Sequence, residues 1–222
     1  MIQVTLSLLT NRDTLLTLDA TGLGDLLWED KIPFVDLNTQ PGITVQNRGG
    51  KSKLQTLTFP AIFREVDYIV SLPKMKTHHW AGVTLSMKNL FGVMPGNYYG
   101  WPKNVLHFAG LQESILDINA TLPTHLAIVD GITGMEGDGP IMGDPVASGM
   151  IVFGENFPAV DATASRLMRI DPEKVPYLRA AKDWLGPIEE GKIRQLGEEI
   201  SHLAHPFKLI DKIPAQAGLR LS

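Results

Sequence analysis

Short β-branched and aromatic runs recur along the chain, each ending abruptly in polar residues and each followed by a stretch with helical spacing. Residues 31–36 (KIPFVD), 67–72 (DYIVSL), 126–129 (LAIV) and 150–153 (MIVF) are the predicted strands. Runs that are apolar on both faces suit strands covered by helices on each side. Helices are predicted over 13–27, with Asp13 as the cap, and over 81–90. Phe108, Leu111, Ile115 and Ile118 form one helical stripe, with Glu113 and Asp117 off it. Pro158 suits the first turn of a helix through Met168 that turns Val160, Ala164 and Leu167 inward. Strands alternating with helices predict an α/β fold, a mostly parallel sheet flanked by helices in three layers. From about residue 173 the chain is more charged and its period mixed, predicting helices over 177–184 and 188–203. With no repeat or low-complexity linker, residues 1–222 are read as a single domain with a more helical C-terminal region.

In such a sheet ligands sit beyond the carboxyl ends of the strands, so the polar clusters there are the candidate site. Segment 73–96 (PKMKTHHWAGVTLSMKNLFGVMPG) holds Lys74, Lys76, His78, His79 and Lys88. In an extended chain Lys74 and Lys76 point the same way, ~6.6 Å apart by strand rise. They repel by ~2.5 kcal/mol at an effective dielectric of ~20, which a bound anion would relieve. Thr77 is a candidate cap for the next helix, whose N-terminal amides would add attraction for an anion. Thr84 and Lys88 fall one turn apart on that helix. His78, with a near-neutral reference pKa, is the expected proton carrier. The bland alternative is a solvated lysine surface with histidines filling gaps.

Segment 130–145 (DGITGMEGDGPIMGDP) is predicted as a glycine-rich loop carrying Asp130, Glu136, Asp138 and Asp144. Such a loop offers oxygen ligands to a hard cation. It matches neither the EF-hand spacing nor a Walker loop. Asp161 lies in the first turn of a predicted helix, where the helix dipole alone accounts for a carboxylate. It nevertheless falls with Glu155 and Asn156 beyond a strand end. His107, Asp36 and Asn38 are further candidates, and His125, His202 and His205 are read as structural.

Composition narrows the chemistry. There are no cysteines, which excludes disulfides, thiolate zinc sites, cysteine nucleophiles and cysteine-held iron–sulfur clusters in this chain. A net charge of −4 argues against a nucleic-acid binder. The N-terminus lacks a signal-peptide pattern, and no apolar run approaches the ~20 residues of a spanning helix. The expected location is cytoplasmic, away from membranes.

These residues resemble the family catalogued as domain of unknown function 362. The resemblance rests on DLN at 36–38, PKMKTH at 73–78, TLSMKNLFG at 84–92, VDGITGMEGDGP at 129–140 and AVDATASRLM at 159–168. It covers most of the chain, from about residue 13. Many members are described as iron–sulfur proteins with ferredoxin-like cysteine modules, so the resemblance implies a cluster on a separate partner. It also implies a chain shorter at its N-terminus than other members, residues 1–11 replacing a missing strand or marking a truncated form. Carried onto this sequence, the motif positions are Asp36, Asn38, Lys74, Lys76, His78, Lys88, Asn89, Asp130, Glu136, Asp138 and Asp161.

The resulting expectation is an enzyme acting on an anionic small molecule, a phosphate or carboxylate. Lys74, Lys76, Thr77, Asn89 and Asn38 would bind the anion. His78, Lys88 and Asp130 would be catalytic. Asp130, Glu136, Asp138 and Asp161 would hold a divalent metal, magnesium or manganese. The alternatives are a redox-linked accessory protein docking on a ferredoxin-like partner, and a ligand-binding module without turnover.

Overall fold

The computed structural model describes residues 14–100 and 103–221; Asp13 and residues 1–11 lie outside them. The predicted first helix is two, α1 (Thr14–Thr21) and α2 (Leu23–Glu29), separated by Gly22 at φ 70°. Only a residue without a side chain takes that left-handed turn freely. Residues 31–36 form no strand. Pro33 removes a ladder donor, and Asp36 Oδ1 instead accepts from the backbone and side-chain nitrogens of Asn38. An unpredicted hairpin follows, β1 (Gly42–Gln46) antiparallel to β2 (Thr56–Pro60).

The main sheet contains β3 (Val70–Ser71), β4 (Lys74–His78), β5 (Gly82–Thr84), β6 (Leu126–Glu136), β7 (Asp144–Val146) and β8 (Met150–Gly154). Everything is organised on β6. Along one edge it pairs in parallel with β3 and β4, at a constant offset of 56 residues through Lys74 and 59 at Lys76. β3 and β4 are thus one interrupted strand, with a bulge before Lys76. Along the other edge β6 pairs antiparallel with β8 and then β7. β5 returns antiparallel to β4. The sheet is mixed, and the α/β class holds.

The predicted strand 126–129 runs on to Glu136, so most of the expected glycine-rich loop is sheet. Its glycines serve close packing. A Cβ on Gly134 would lie 2.9 Å from Met75 O and from the Phe207 ring, and one on Gly131 would crowd the Met75 side chain.

Between β5 and β6 come α3 (Ser86–Asn89), α4 (Gly96–Tyr99), α5 (Asn104–Ala109) and α6 (Leu111–Thr121). The first half of the predicted helix 81–90 is therefore strand and turn, and only its second half, from Ser86, is helical. Gly82 at φ 82° and β-branched Val83 and Thr84 favour the hairpin. The stripe from Phe108 to Ile118 is cut at Gly110, leaving Phe108 exposed and Asp117 buried. α7 (Phe157–Leu167) matches expectation: Asn156 caps it by accepting from Ala159 N, and Val160, Ala164 and Leu167 are buried. The C-terminal region contains short α8 (Pro176–Ala181) and α9 (Ile200–Leu203), with one 3-10 turn (Glu190–Lys192) in an otherwise irregular stretch between them that holds Gly186, Pro187 and Gly197.

The two faces of the sheet differ. Ala127, Val129, Gly131, Met75 and Met150 face the core. α7 packs there, since a Cβ on Gly154 would meet Val160. Register places Val70, Ile128, Ile151 and Phe153 on the opposite face, where Val70, Ile151 and Phe153 are exposed.

Candidate functional site

The site grows from the C-terminal half of β4. Lys76 is paired with Thr84 and His78 with Gly82, so Lys76, His78 and Thr84 share one face of the hairpin. Met75, Thr77 and Val83 turn to the other face and are buried. Thr77, the expected helix cap, is instead mid-strand and donates to Gly137 O at 2.8 Å. Lys76 is half-buried and donates to Pro140 O at 3.4 Å. Burial, then Lys74, holds its pKa below the ordinary lysine range.

His78 organises the turn. Its Nδ1 accepts from Trp80 N (3.0 Å) and Ala81 N (3.2 Å), so the ring proton sits on Nε2. Burial, then Lys88 and other neighbouring cations, lower its pKa to about 2. The imidazole is neutral at any physiological pH. The expected role of proton carrier would need a higher value, and the reference pKa does not survive burial among cations.

Lys88, on α3, is 3% exposed. Among the described residues its amine meets no hydrogen-bond acceptor and no carboxylate; the Phe91 ring lies 4.1 Å from it. Burial, then Lys76 and Lys103, lower its pKa to about 7. Thr84 Oγ1, on the Lys76 face, is buried without a hydrogen-bond partner. Gln112 Oε1 is likewise buried and unpartnered, while its Nε2 donates to Trp80 O.

Lys103 joins them. It precedes α5 at φ 67°, is buried, and donates to Gly92 O at 3.3 Å. Burial lowers its pKa to about 8 against the opposing field of Asp36. No sequence signal marks a lysine for a left-handed, buried position. His107 Nδ1 lies 3.0 Å from Lys103 O. A carbonyl can only accept, so Nδ1 carries the proton and Nε2 keeps a lone pair. Its ring contacts Phe91 and Trp80 with centroids 5.1 and 5.2 Å away, and Trp80 meets His79 at 4.8 Å. Lys76 and Lys103 thus both bear on Lys88, beside a belt of rings.

The remaining expected residues have other employment. Lys74 and Asp130 form an ion pair at 2.5 Å on the exposed sheet face, with Asp130 in mid-strand, where its Oδ1 also accepts from Ile132 N. Glu136 accepts from Lys208 N, Asp138 lies 3.5 Å from His79, and Asn89 donates to Ser71 Oγ. Asn38 accepts from Gly96 N. Asp161 is fully buried on α7 and caps α3, accepting from Ser86 N (2.7 Å), Met87 N (3.0 Å) and the Ser86 hydroxyl. Burial raises its pKa to about 7. The four expected metal ligands therefore do not converge. Among the described residues no three histidine or carboxylate side chains are placed to share an ion. A separate pocket of about 660 Å³, lined by Leu18, Leu27, Trp28 and Phe34 among others, includes none of the cluster's residues.

Among the described residues no helix is long and apolar enough to cross a membrane. A thylakoid-associated protein of Synechocystis is 28% identical over 177 residues, spanning 75% of this chain and 52% of the relative. The chain thus spans about half the length of that relative. No solved structure matches. The model of one family, described as a domain of unknown function and numbered 362, matches residues 3–166. That match takes in the β4–β5 hairpin, α3, α5 and the Asp161 cap, and with it the chain belongs to the domain of unknown function 362 family.

Proposed function

We propose that the protein is an enzyme that binds a phosphate- or carboxylate-bearing small molecule at Lys76, Lys88 and Lys103. One observation carries the reading: a buried lysine, Lys88, that has no counter-ion among the described residues and lies within the field of two other lysines. Uncompensated buried charge of one sign is costly to the fold, and an anion would offset that cost. The unpartnered Thr84 hydroxyl offers it a hydrogen bond. His78 Nε2–H would orient the ligand and His107 Nε2 would accept a proton.

Isothermal titration with phosphate, nucleotides and carboxylates, with and without magnesium or manganese, tests this. Wild-type protein is expected to bind an anion, and Lys88→Ala to lose at least tenfold in affinity, about 1.4 kcal/mol. Heat released only with the metal present would support a divalent ion at the site. No anion affinity in any condition would end the reading.

A second reading, a protein that docks on a ferredoxin-like partner, is favoured by the exposed apolar sheet face around Ile151 and Phe153 and by the named association of the cyanobacterial relative with thylakoids. Co-purification of an iron–sulfur companion would favour it.

A further inference from the structure

We propose that Lys88 is a nucleophilic amine that forms an imine with an anionic carbonyl compound, a 2-oxo acid or an aldehyde phosphate, while Lys76 holds the anionic group. This rests on the anion-binding reading above and names its substrate class. Beyond its place in the anion site, Lys88 is desolvated, pressed against the Phe91 ring, and without a carboxylate to keep its proton. An amine in apolar surroundings next to other cations is the recognised setting for a lysine that attacks carbonyls. Its pKa of about 7 leaves a large neutral fraction at physiological pH, as attack requires.

The neighbours fit the step. The Lys88 nitrogen lone pair adds to the carbonyl carbon, and the carbonyl π pair moves to oxygen. The two protons shed by the amine leave with that oxygen as one water molecule, giving a neutral imine with no oxidant or reductant involved. His107 Nε2, freed by the Nδ1 bond to Lys103 O, can relay the first proton. His78, neutral with its proton on Nε2, can hydrogen-bond the oxygen as charge develops on it. Lys76 and the unpartnered Thr84 hydroxyl lie on the same face of the hairpin to receive the anionic group.

The test is reductive trapping on the full chain. Protein is incubated with pyruvate, glyoxylate or pyridoxal phosphate, reduced with borohydride, and read by intact mass and peptide mapping. At least one probe is expected to give a single adduct at Lys88, labelled about tenfold or more over exposed lysines near neutral pH. The adduct should be absent in Lys88→Arg and weakened in Lys76→Gln, with Lys76→Gln serving if Lys88→Arg does not fold. Selectivity should vanish for wild-type protein in urea. Anion binding by calorimetry without any Lys88 adduct would overturn the imine and leave the anion site standing. Labelling spread evenly over surface lysines would overturn it equally, and absence of both binding and adduct would remove both readings.

Discussion

Lys88 concentrates the energetic tension of the molecule in one side chain. Its ordinary pKa of 10.5 falls to about 7 on burial. Between those values the unfolded chain binds a proton that the folded protein does not. The cost of burying the amine therefore grows as pH falls from about 10.5 to about 7, and is constant below. Lys88→Met removes that cost and keeps the volume. It should stabilise the fold by on the order of 2–4 kcal/mol near pH 6.5, with the gain fading toward pH 10. Urea denaturation at the two pH values measures this. An equal gain at both would mean the amine is not desolvated. Stability given up at a site is a common companion of function, so the same variant should lose the anion.

At the scale of elements, two buried carboxylates join segments distant in sequence. Asp161 reaches from α7 to the start of α3 and holds the turn from which Lys88 projects. Asp161→Ala leaves two buried N–H groups without partners and should cost about 2–4 kcal/mol. It should also weaken anion binding, a loss that calorimetry on the folded fraction would register; unchanged affinity would show α3 to be held by packing alone. Asp117 on α6 does the same for the segment between β1 and β2, accepting from Asn47 Nδ2 (2.6 Å), Lys51 N (2.7 Å) and Ser52 N (2.9 Å). Asp117→Ala should speed hydrogen exchange at the Lys51 and Ser52 amides while leaving the lysine cluster intact. Exchange at wild-type rates would overturn that role.

At the scale of the molecule, the sheet is lopsided. One face is closed by α7 and the core; on the other, Val70, Ile151 and Phe153 meet solvent around the Lys74–Asp130 pair. That ion pair is half-exposed on both sides and contributes little to stability. The double variant Ile151→Thr, Phe153→Thr should stay within about 1 kcal/mol of wild type. Urea denaturation checks it, and a loss of several kcal/mol would mean that the face is covered in solution.

Local chemistry was legible wherever it could act alone. The Asn156 cap, Pro158 and the spacing of Val160, Ala164 and Leu167 specify α7 without help from the rest of the chain. The same holds for the strand 150–153 and for the concentration of cations in 73–96. Where the sequence misled, a local preference had two outcomes and packing chose between them. The glycines of 130–145 suit a loop, yet crowding by Met75 and Phe207 uses them inside β6. Asp161 suits a helix dipole or a metal, yet both its oxygens cap α3. His78 carries a reference pKa near neutrality until burial beside Lys88 removes it. Residue order along the chain is enough to specify an α/β protein with its cations gathered after one strand. Which of them is desolvated and which finds a carboxylate follows from tertiary packing, because burial and counter-ion distance are set by elements far apart along the chain.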